Sequence, residues 1–234
     1  MDNSHRSLFD LLFSRYSCRE FLPEKVPENV LKELVSAARC APSSANLQPG
    51  KLHVFSGEPL ATLKEQLARI VEENPPESPA YSYFPQPMSA ILKNRQRAAG
   101  YALYQALNVS RRDIAARKQQ FAKNYRFFDA PVGIIVTIQR DMGKGCFMDL
   151  GMMLMSFFLA AQSLGYGTCA IGALSHYGET LHKLLAFPAD EMVVCGIALG
   201  RANTAAAVNQ CRTERLAIDD YIAFYGFDDQ QVSA

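Results

Sequence analysis

From Leu150 to Leu164 the chain runs for fifteen residues without a charged side chain, with Ser156 and Gln162 among its few polar members. A membrane-spanning helix needs about 20 predominantly apolar residues, so this run reads as a buried helix rather than a span. It is apolar around nearly its whole circumference, more than one sheet face can cover. Burial at an interface with a second copy of the chain is therefore expected ahead of a purely intrachain core.

The 234 residues can bury a substantial core, and that length favours one domain, 1–234, carrying an embellishment. A hydrophobic content of 49% with a net charge of +1 excludes intrinsic disorder and the electrostatic field of a nucleic-acid binder. Small molecules and a second copy remain as partners, with no nucleic acid and no membrane. The six cysteines form no C-x-x-C and no zinc-ligand spacing with histidine. Met1–Arg6 and the interrupted apolar patch after it are too polar and too short for a signal peptide, so a cytoplasmic location with free thiols is expected.

Pro27 followed by Val30, Leu31, Leu34, Val35 and Ala38 predicts a helix that ends near Pro42. A strand over 51–56 and a helix over 59–73 follow. The stretch 74–87, with five prolines among Tyr81, Tyr83 and Phe84, breaks regular structure. Two helices over 89–123 complete an excursion at about 74–128. Strands are expected over 132–138, 168–171 and 192–199, the apolar helix over 148–164, and an aromatic helix in the tail 216–227 that packs on a neighbour. Helix and strand alternate, a pattern that on its own favours a parallel sheet.

Two segments carry the chemistry. Arg15-Tyr16-Ser17-Cys18-Arg19 puts two guanidiniums and a hydroxyl within five residues, and planar bidentate arginine matches phosphate. Taken alone it describes a solvated basic helix end better, since charge runs usually decorate surfaces. Pro42-Ser43-Ser44-Ala45-Asn46-Leu47-Gln48-Pro49 has no charge and favours irregular turns. Its Asn46 and Gln48 can each donate and accept, as the uracil-like edge of an isoalloxazine requires, although an ordinary connection has the same composition.

Arg212-Thr213-Glu214-Arg215 adds a late pair of guanidiniums, or a solvated charge cluster. Gly165-Tyr166-Gly167-Thr168-Cys169-Ala170 satisfies a relaxed dinucleotide fingerprint, but it follows a helix and enters a strand, the reverse of the required order. A helix stop with a left-handed glycine is the simpler account. The small residues Ala170-Ile171-Gly172-Ala173 would let backbone approach a flat ring. The chain has no nucleophile elbow, H-E-x-x-H or P-loop, and His53, His176 and His182 are scattered. Hydride transfer through a bound flavin needs little side-chain proton chemistry, which suits this inventory.

The two segments, in this order and spacing, resemble the FMN-dependent nitroreductase family, and its nitrobenzoate-reductase branch in particular, over nearly the whole chain from Leu8 to Phe227. The resemblance implies an α+β fold with a central, mostly antiparallel sheet flanked by helices, in an intertwined homodimer with FMN at the interface. It assigns Arg15, Ser17 and Arg19 to the FMN phosphate, ribityl chain and N1/O2 side of the ring. Pro42, Ser43, Ser44 and Asn46 would come from the other subunit. Asn124 or Arg126 would meet the pyrimidine edge, Ile171, Gly172 and Ala173 would pass the flavin N5, and Arg215, helped by Arg212, would hold the phosphate. The implied reaction is ping-pong: NADH or NADPH gives hydride to the flavin, and a nitroaromatic, quinone or related small-molecule acceptor takes the electrons. Arg19 would stabilise the reduced ring. Reductive dehalogenation, destruction of FMN, or flavin binding without turnover would use the same fold. Two departures from the family pattern are Gly50, where many relatives carry tryptophan, and Gly172, where an acidic residue is usual.

Overall fold

The computed structural model describes residues 7–73 and 75–226. In chain order its elements are α1 (Leu8–Ser14), α2 (Glu28–Ala38), β1 (Lys51–Ser56), α3 (Gly57–Glu73), α4 (Ala90–Ala106), α5 (Ile114–Ala122), β2 (Val132–Gln139), α6 (Lys144–Ser163), β3 (Gly167–Ile171), α7 (Gly178–Leu184) and β4 (Glu191–Gly200). The strands form one sheet in the order β1-β2-β4-β3, and each neighbouring pair is antiparallel. The α+β architecture is as expected, whereas the parallel sheet that element alternation favours is not found.

The physical reason lies in burial. β2 and β4 read as continuous apolar runs because both faces of the sheet are covered, and a doubly covered strand looks alike whichever way its neighbour runs. Ile134, Val136 and Ile138 face α2 and α6, packing with Leu34, Leu150 and Phe157, while Ile135 faces the opposite layer of Leu60, Leu63, Leu67 and Phe127. Side chains alternate with period two along a strand, so each strand serves both layers. The register shifts between Val136 and Thr137 opposite β4, a bulge that re-aims the residues beyond it.

α1 is short but well started: the Ser7 hydroxyl accepts from the Asp10 N–H while the Asp10 carboxylate accepts from the Ser7 N–H, a closed capping box. α7, only seven residues long, was too short to register as a periodic pattern. The excursion contains α4 and α5 as anticipated, each opened by a side-chain cap, Ser89 and Asp113. No helix follows Arg215 among the described residues; Ile218–Asp220 is a single 3-10 turn, and Ile218, Tyr221 and Tyr225 are exposed. An aromatic tail has no apolar surface of its own chain to fold against, so composition alone does not make it helical. The expectations on Met1–Arg6 and Phe227 lie outside the described residues.

Beneath the β1 edge sits a buried polar cluster. Thr137 Oγ1 donates to Glu191 Oε2 at 2.7 Å, Lys51 Nζ to Oε1 at 3.2 Å, and His53 Nε2 lies 3.1 Å from Oε2. Burial alone would raise the Glu191 pKa, but the hydrogen bonds from Thr137, Lys51 and His53 outweigh it and hold the carboxyl below its ordinary 4.5. A depressed carboxyl contributes stability above its unfolded value and loses it as pH falls through the folded one. Glu191→Gln should therefore cost about 1–3 kcal/mol at neutral pH, where hydrogen bonds to a charged acceptor are lost. The gap to wild type should close in denaturant titrations taken progressively below pH 4.5.

Candidate functional site

Arg15 is where α1 ends and the backbone becomes extended. Ser17 then pairs in parallel with Thr168 of β3, and the Cys18 N–H donates to the Thr168 carbonyl at 2.9 Å. The R-x-S-x-R motif thus lies on an extended edge of the sheet rather than on a solvated helix end. Residues two apart on such a stretch share a face, so Arg15, Ser17 and Arg19 stand together while Cys18 is fully buried on the other side.

The late arginines are brought to this edge by Asn209, which is 1% exposed. Its Oδ1 accepts the Arg19 backbone N–H at 2.7 Å, and its Nδ2 donates to the carbonyls of Glu20 and Asn203, each at 2.8 Å. Arg212 Nη1 donates to the Asn209 carbonyl at 2.7 Å, and the Arg212 guanidinium lies 4.1 Å from the centre of the Tyr16 ring. Arg215 is folded back on its own backbone, donating to the Thr213 and Glu214 carbonyls.

Among the described residues, none of Arg15, Arg19, Arg212 and Arg215 pairs with a carboxylate. Burial, and then the charge of Arg215 beside it, push the Arg15 pKa below its ordinary value. The adjacent thiols are not counter-anions, because burial pushes Cys18 and Cys169 up to about 11. Guanidiniums gathered with no carboxylate ion-paired to them form the setting a phosphate dianion fits, by charge and by planar hydrogen bonding.

The second segment is held elsewhere. It makes a 3-10 turn at Ser44–Asn46, with Ala45, Asn46 and Gln48 in the left-handed region. The Gln48 N–H donates to Ser43 Oγ at 2.9 Å, and the Ser44 N–H donates at 3.1 Å to Asp149, whose residue is 6% exposed near the start of α6. Pro42 and Ser43 line a cavity of about 230 Å³ between α2 and α6. At the far end of α6, Gln162 Nε2 donates to the Ser14 hydroxyl at 2.6 Å, next to Arg15. Asp149 and Gln162 are about 20 Å apart along the helix at 1.5 Å per residue. The two segments therefore sit at opposite ends of α6 and do not meet within one chain.

The remaining candidates are placed separately. Arg126 pairs with Asp129 at 2.9 Å, and Asn124 Nδ2 donates to the Phe121 carbonyl at 2.7 Å, so neither joins the arginine cluster. Ile171 ends β3, and Gly172 and Ala173 open the 3-10 stretch after it. The space above Gly172 is filled by Tyr83, whose phenol oxygen lies 2.8 Å from where a Cβ would stand. A side chain at 172 would have to displace the Tyr83 ring. Gly50 has a similar account: its φ is +99°, and a Cβ would meet Leu150 Cδ1 at 2.5 Å. Gly165 ends α6 with φ +77°, and the Arg201 guanidinium donates to the Leu164 and Gly165 carbonyls at 3.0 Å, as a helix stop requires.

Asn209, Asp149 and Tyr83 were missed by sequence reasoning. Asp149 alone left a signal, a solitary acid at the head of the apolar run. Asn209→Ala should leave the Arg19 N–H unpaired, while the Glu20 and Asn203 carbonyls keep the N–H groups of Asn203 and Ala206, and cost about 1–3 kcal/mol for the one buried orphan. The checks are the urea midpoint and, in parallel, retention of any anionic ligand. Gly50→Trp should be unable to restore the tryptophan of many relatives: its backbone lies in a glycine region and Leu150 blocks the side chain, so expression as folded protein should fall sharply.

Residues 12–201 match the model of the Nitroreductase family. The chain is 35% identical over 220 residues to the chloronitrobenzene nitroreductase of Comamonas testosteroni, covering 92% of this chain and 95% of that protein. It is 32% identical to the 4-nitrobenzoate reductase of Pseudomonas putida, with 92% and 94% coverage. Among solved structures, the FMN and NADPH-dependent nitroreductase NfnB from Sphingopyxis sp. strain HMH superposes with a TM-score of 0.92 at 31% identity, over 95% of this chain and all of that one. With most of its length accounted for in sequence and fold alike, the chain belongs to the nitroreductase family, in the branch of the nitrobenzoate reductases.

Proposed function

We propose that this chain is an FMN-dependent oxidoreductase that passes hydride from NADH or NADPH to nitroaromatic acceptors. The observation that carries it is the cluster of Arg15, Arg19, Arg212 and Arg215, in which Asn209 joins Arg19 to Arg212 and Arg215 lies beside Arg15, with no carboxylate ion-paired to any of them among the described residues. The names of the relatives support the acceptor class: one reduces chloronitrobenzene, another 4-nitrobenzoate. FMN, when bound, supplies the ring that accepts and releases hydride. The chain's own residues bind, orient and polarise. Arg15, Arg212 and Arg215 hold the phosphate, and Ser17 and Arg19 the ribityl chain and the N1/O2 side. The backbone of Ile171, Gly172 and Ala173 would pass by N5, and Asn124 and Arg126 are the candidates for the pyrimidine edge. Arg19 puts positive charge where reduction places negative charge. Donor and acceptor use one pocket in turn, the ping-pong order.

Pro42, Ser43, Ser44 and Asn46 complete the site from a second subunit in this reading. Support comes from the separation of about 20 Å along α6 and from what α6 leaves bare. Met148 is 70% exposed and Phe13 on the adjoining α1 is 84% exposed, with Met152 and Phe9 beside them. Covering each such side chain is worth about 1.5–3 kcal/mol, so a homodimer joined on this surface is favoured over a monomer that leaves it in water. α6 is also long and apolar enough to cross a membrane; packing of one side on the sheet and the other on a second copy accounts for the same composition. The six thiols, none of them in a disulfide, suit a reducing cytoplasm.

The purified protein should be yellow and bleach on titration with NADH or NADPH, and 4-nitrobenzoate should restore the colour. A colourless protein whose melting temperature ignores added FMN would end this reading, since saturating ligand at a hundred times its Kd adds about 2.7 kcal/mol. Subunit mixing tests the shared site. Arg15→Glu and Asn46→Glu chains should each lose flavin as homodimers, yet regain about a quarter of wild-type sites when unfolded together and refolded at equal amounts, because each mixed dimer rebuilds one intact site. No recovery would mean that both segments serve one chain. In single variants, Arg215→Ala should weaken FMN retention, whereas Arg19→Ala holoenzyme should bleach more slowly in stopped flow.

A further inference from the structure

The cavity beside the arginine cluster is larger than one phosphate. It has a volume of about 410 Å³, and its walls are the segment 212–216 on one side and α4 on the other, with Arg95 of α4 facing Arg212 and Arg215. Its floor on α4 is made of Ala98, Ala99 and Ala102, small side chains that let a ligand lie close. A second cavity of about 380 Å³ shares Tyr101 and Gln105 with the first, so the two form one groove along α4. From Arg95 to Gln105 the groove runs about 15 Å at 1.5 Å per residue. Its far end holds Arg111, whose guanidinium lies 4.0 Å from the centre of the Tyr101 ring, and Arg117, 4.7 Å from that of Tyr104.

Charge decides what this groove is for. Arg95, Arg212 and Arg215 line one end and Arg111 and Arg117 the other, and Glu214 is the one carboxylate lining either cavity. A single flavin phosphate carries about −1.5 to −2 at neutral pH, which leaves a surplus of about two positive charges along the groove even after Glu214 is counted. Asp113, the cap of α5, is the acid nearest Arg111 in sequence. Neither Arg95 nor Arg111 pairs with a carboxylate among the described residues. The groove combines phosphate-binding guanidiniums with flat faces, the Tyr101 ring and the guanidinium stacked on it, to which a purine can stack.

We infer that the α4 groove receives the 2′-phosphoadenosine half of NADPH, with Arg95 selecting for the 2′-phosphate and so for NADPH over NADH. This rests on the flavin-reductase reading above, and it gives the excursion a role: it is the dinucleotide platform that the chain otherwise lacks. No bond is made or broken in the groove; it binds and discriminates.

The test uses full-length, FMN-loaded protein and a probe without nicotinamide. In calorimetric titrations, adenosine 2′,5′-bisphosphate should bind at least about tenfold more tightly than 5′-AMP, the range of one or two charge-assisted hydrogen bonds. Arg95→Ala should abolish that difference, Arg95→Glu should reverse it, and FMN content and melting temperature should stay at the wild-type level. In steady-state assays, Arg95→Ala should raise KM for NADPH about tenfold more than KM for NADH. Equal binding of the two probes to wild type, or an unchanged preference in Arg95→Ala, would overturn the inference. So would selective loss of FMN over riboflavin in Arg95→Ala, which would place Arg95 in the flavin phosphate clamp instead. Wild-type protein that never retains FMN would refute the proposed function itself, a separate result.

Discussion

The one-sided burial of α6 organises the rest of this protein. Leu150, Phe157 and Ala161 bury one face of the helix against the sheet and α2, while Met148 and Met152 leave the other bare. A 20-residue helix this apolar cannot be left half in water without a cost of several kcal/mol. The helix also works as a ruler. Asp149 near its start anchors the Ser44 turn and Gln162 near its end anchors Ser14, so its length sets the distance between the two segments that carry polar recognition. In the proposed homodimer, covering this surface and completing the site would be one event, because the surface carries an anchored segment at each end.

The site is built from charge that the fold leaves unsatisfied. Asn209 does the joining: one buried amide satisfies groups from residues 19, 20 and 203 and ties Arg212 to the same point. Buried polar groups of this kind are costly when half satisfied, so the backbone around the arginines is held firmly. The guanidiniums themselves form no ion pair with a carboxylate among the described residues, and the neighbouring thiols are kept neutral by burial. Mutual repulsion of the arginines is a standing cost that a bound anion removes. Ligand binding and stability are therefore coupled at this edge of the sheet.

The departures from the family pattern have local steric causes. At Gly50 a positive φ strains any other residue and a Cβ would crowd Leu150 Cδ1, and at Gly172 the Tyr83 ring stands where one would go.

What the sequence determined by itself was local or periodic. The helices over 28–38 and 57–73, the strands, the left-handed stop at Gly165 and the arginine motifs were legible because each is written in neighbouring residues. Strand direction was not, since burial on both faces produces the same apolar run in either orientation, and the antiparallel sheet entered only by resemblance. A helix was wrongly expected after Arg215 because aromatic content measures hydrophobicity and not what is available to cover it. Asp149 and Asn209 escaped because their partners lie 105 and 190 residues away, and no pattern of neighbours encodes a hydrogen bond across that interval. Arg95 was one charge among many on a helix until tertiary packing set it across a cavity from Arg212 and Arg215. Sequence specified which chemical groups were present and which elements bore them; only the fold decided which charges would face one another without a counter-ion, because that depends on distances between segments remote in the chain.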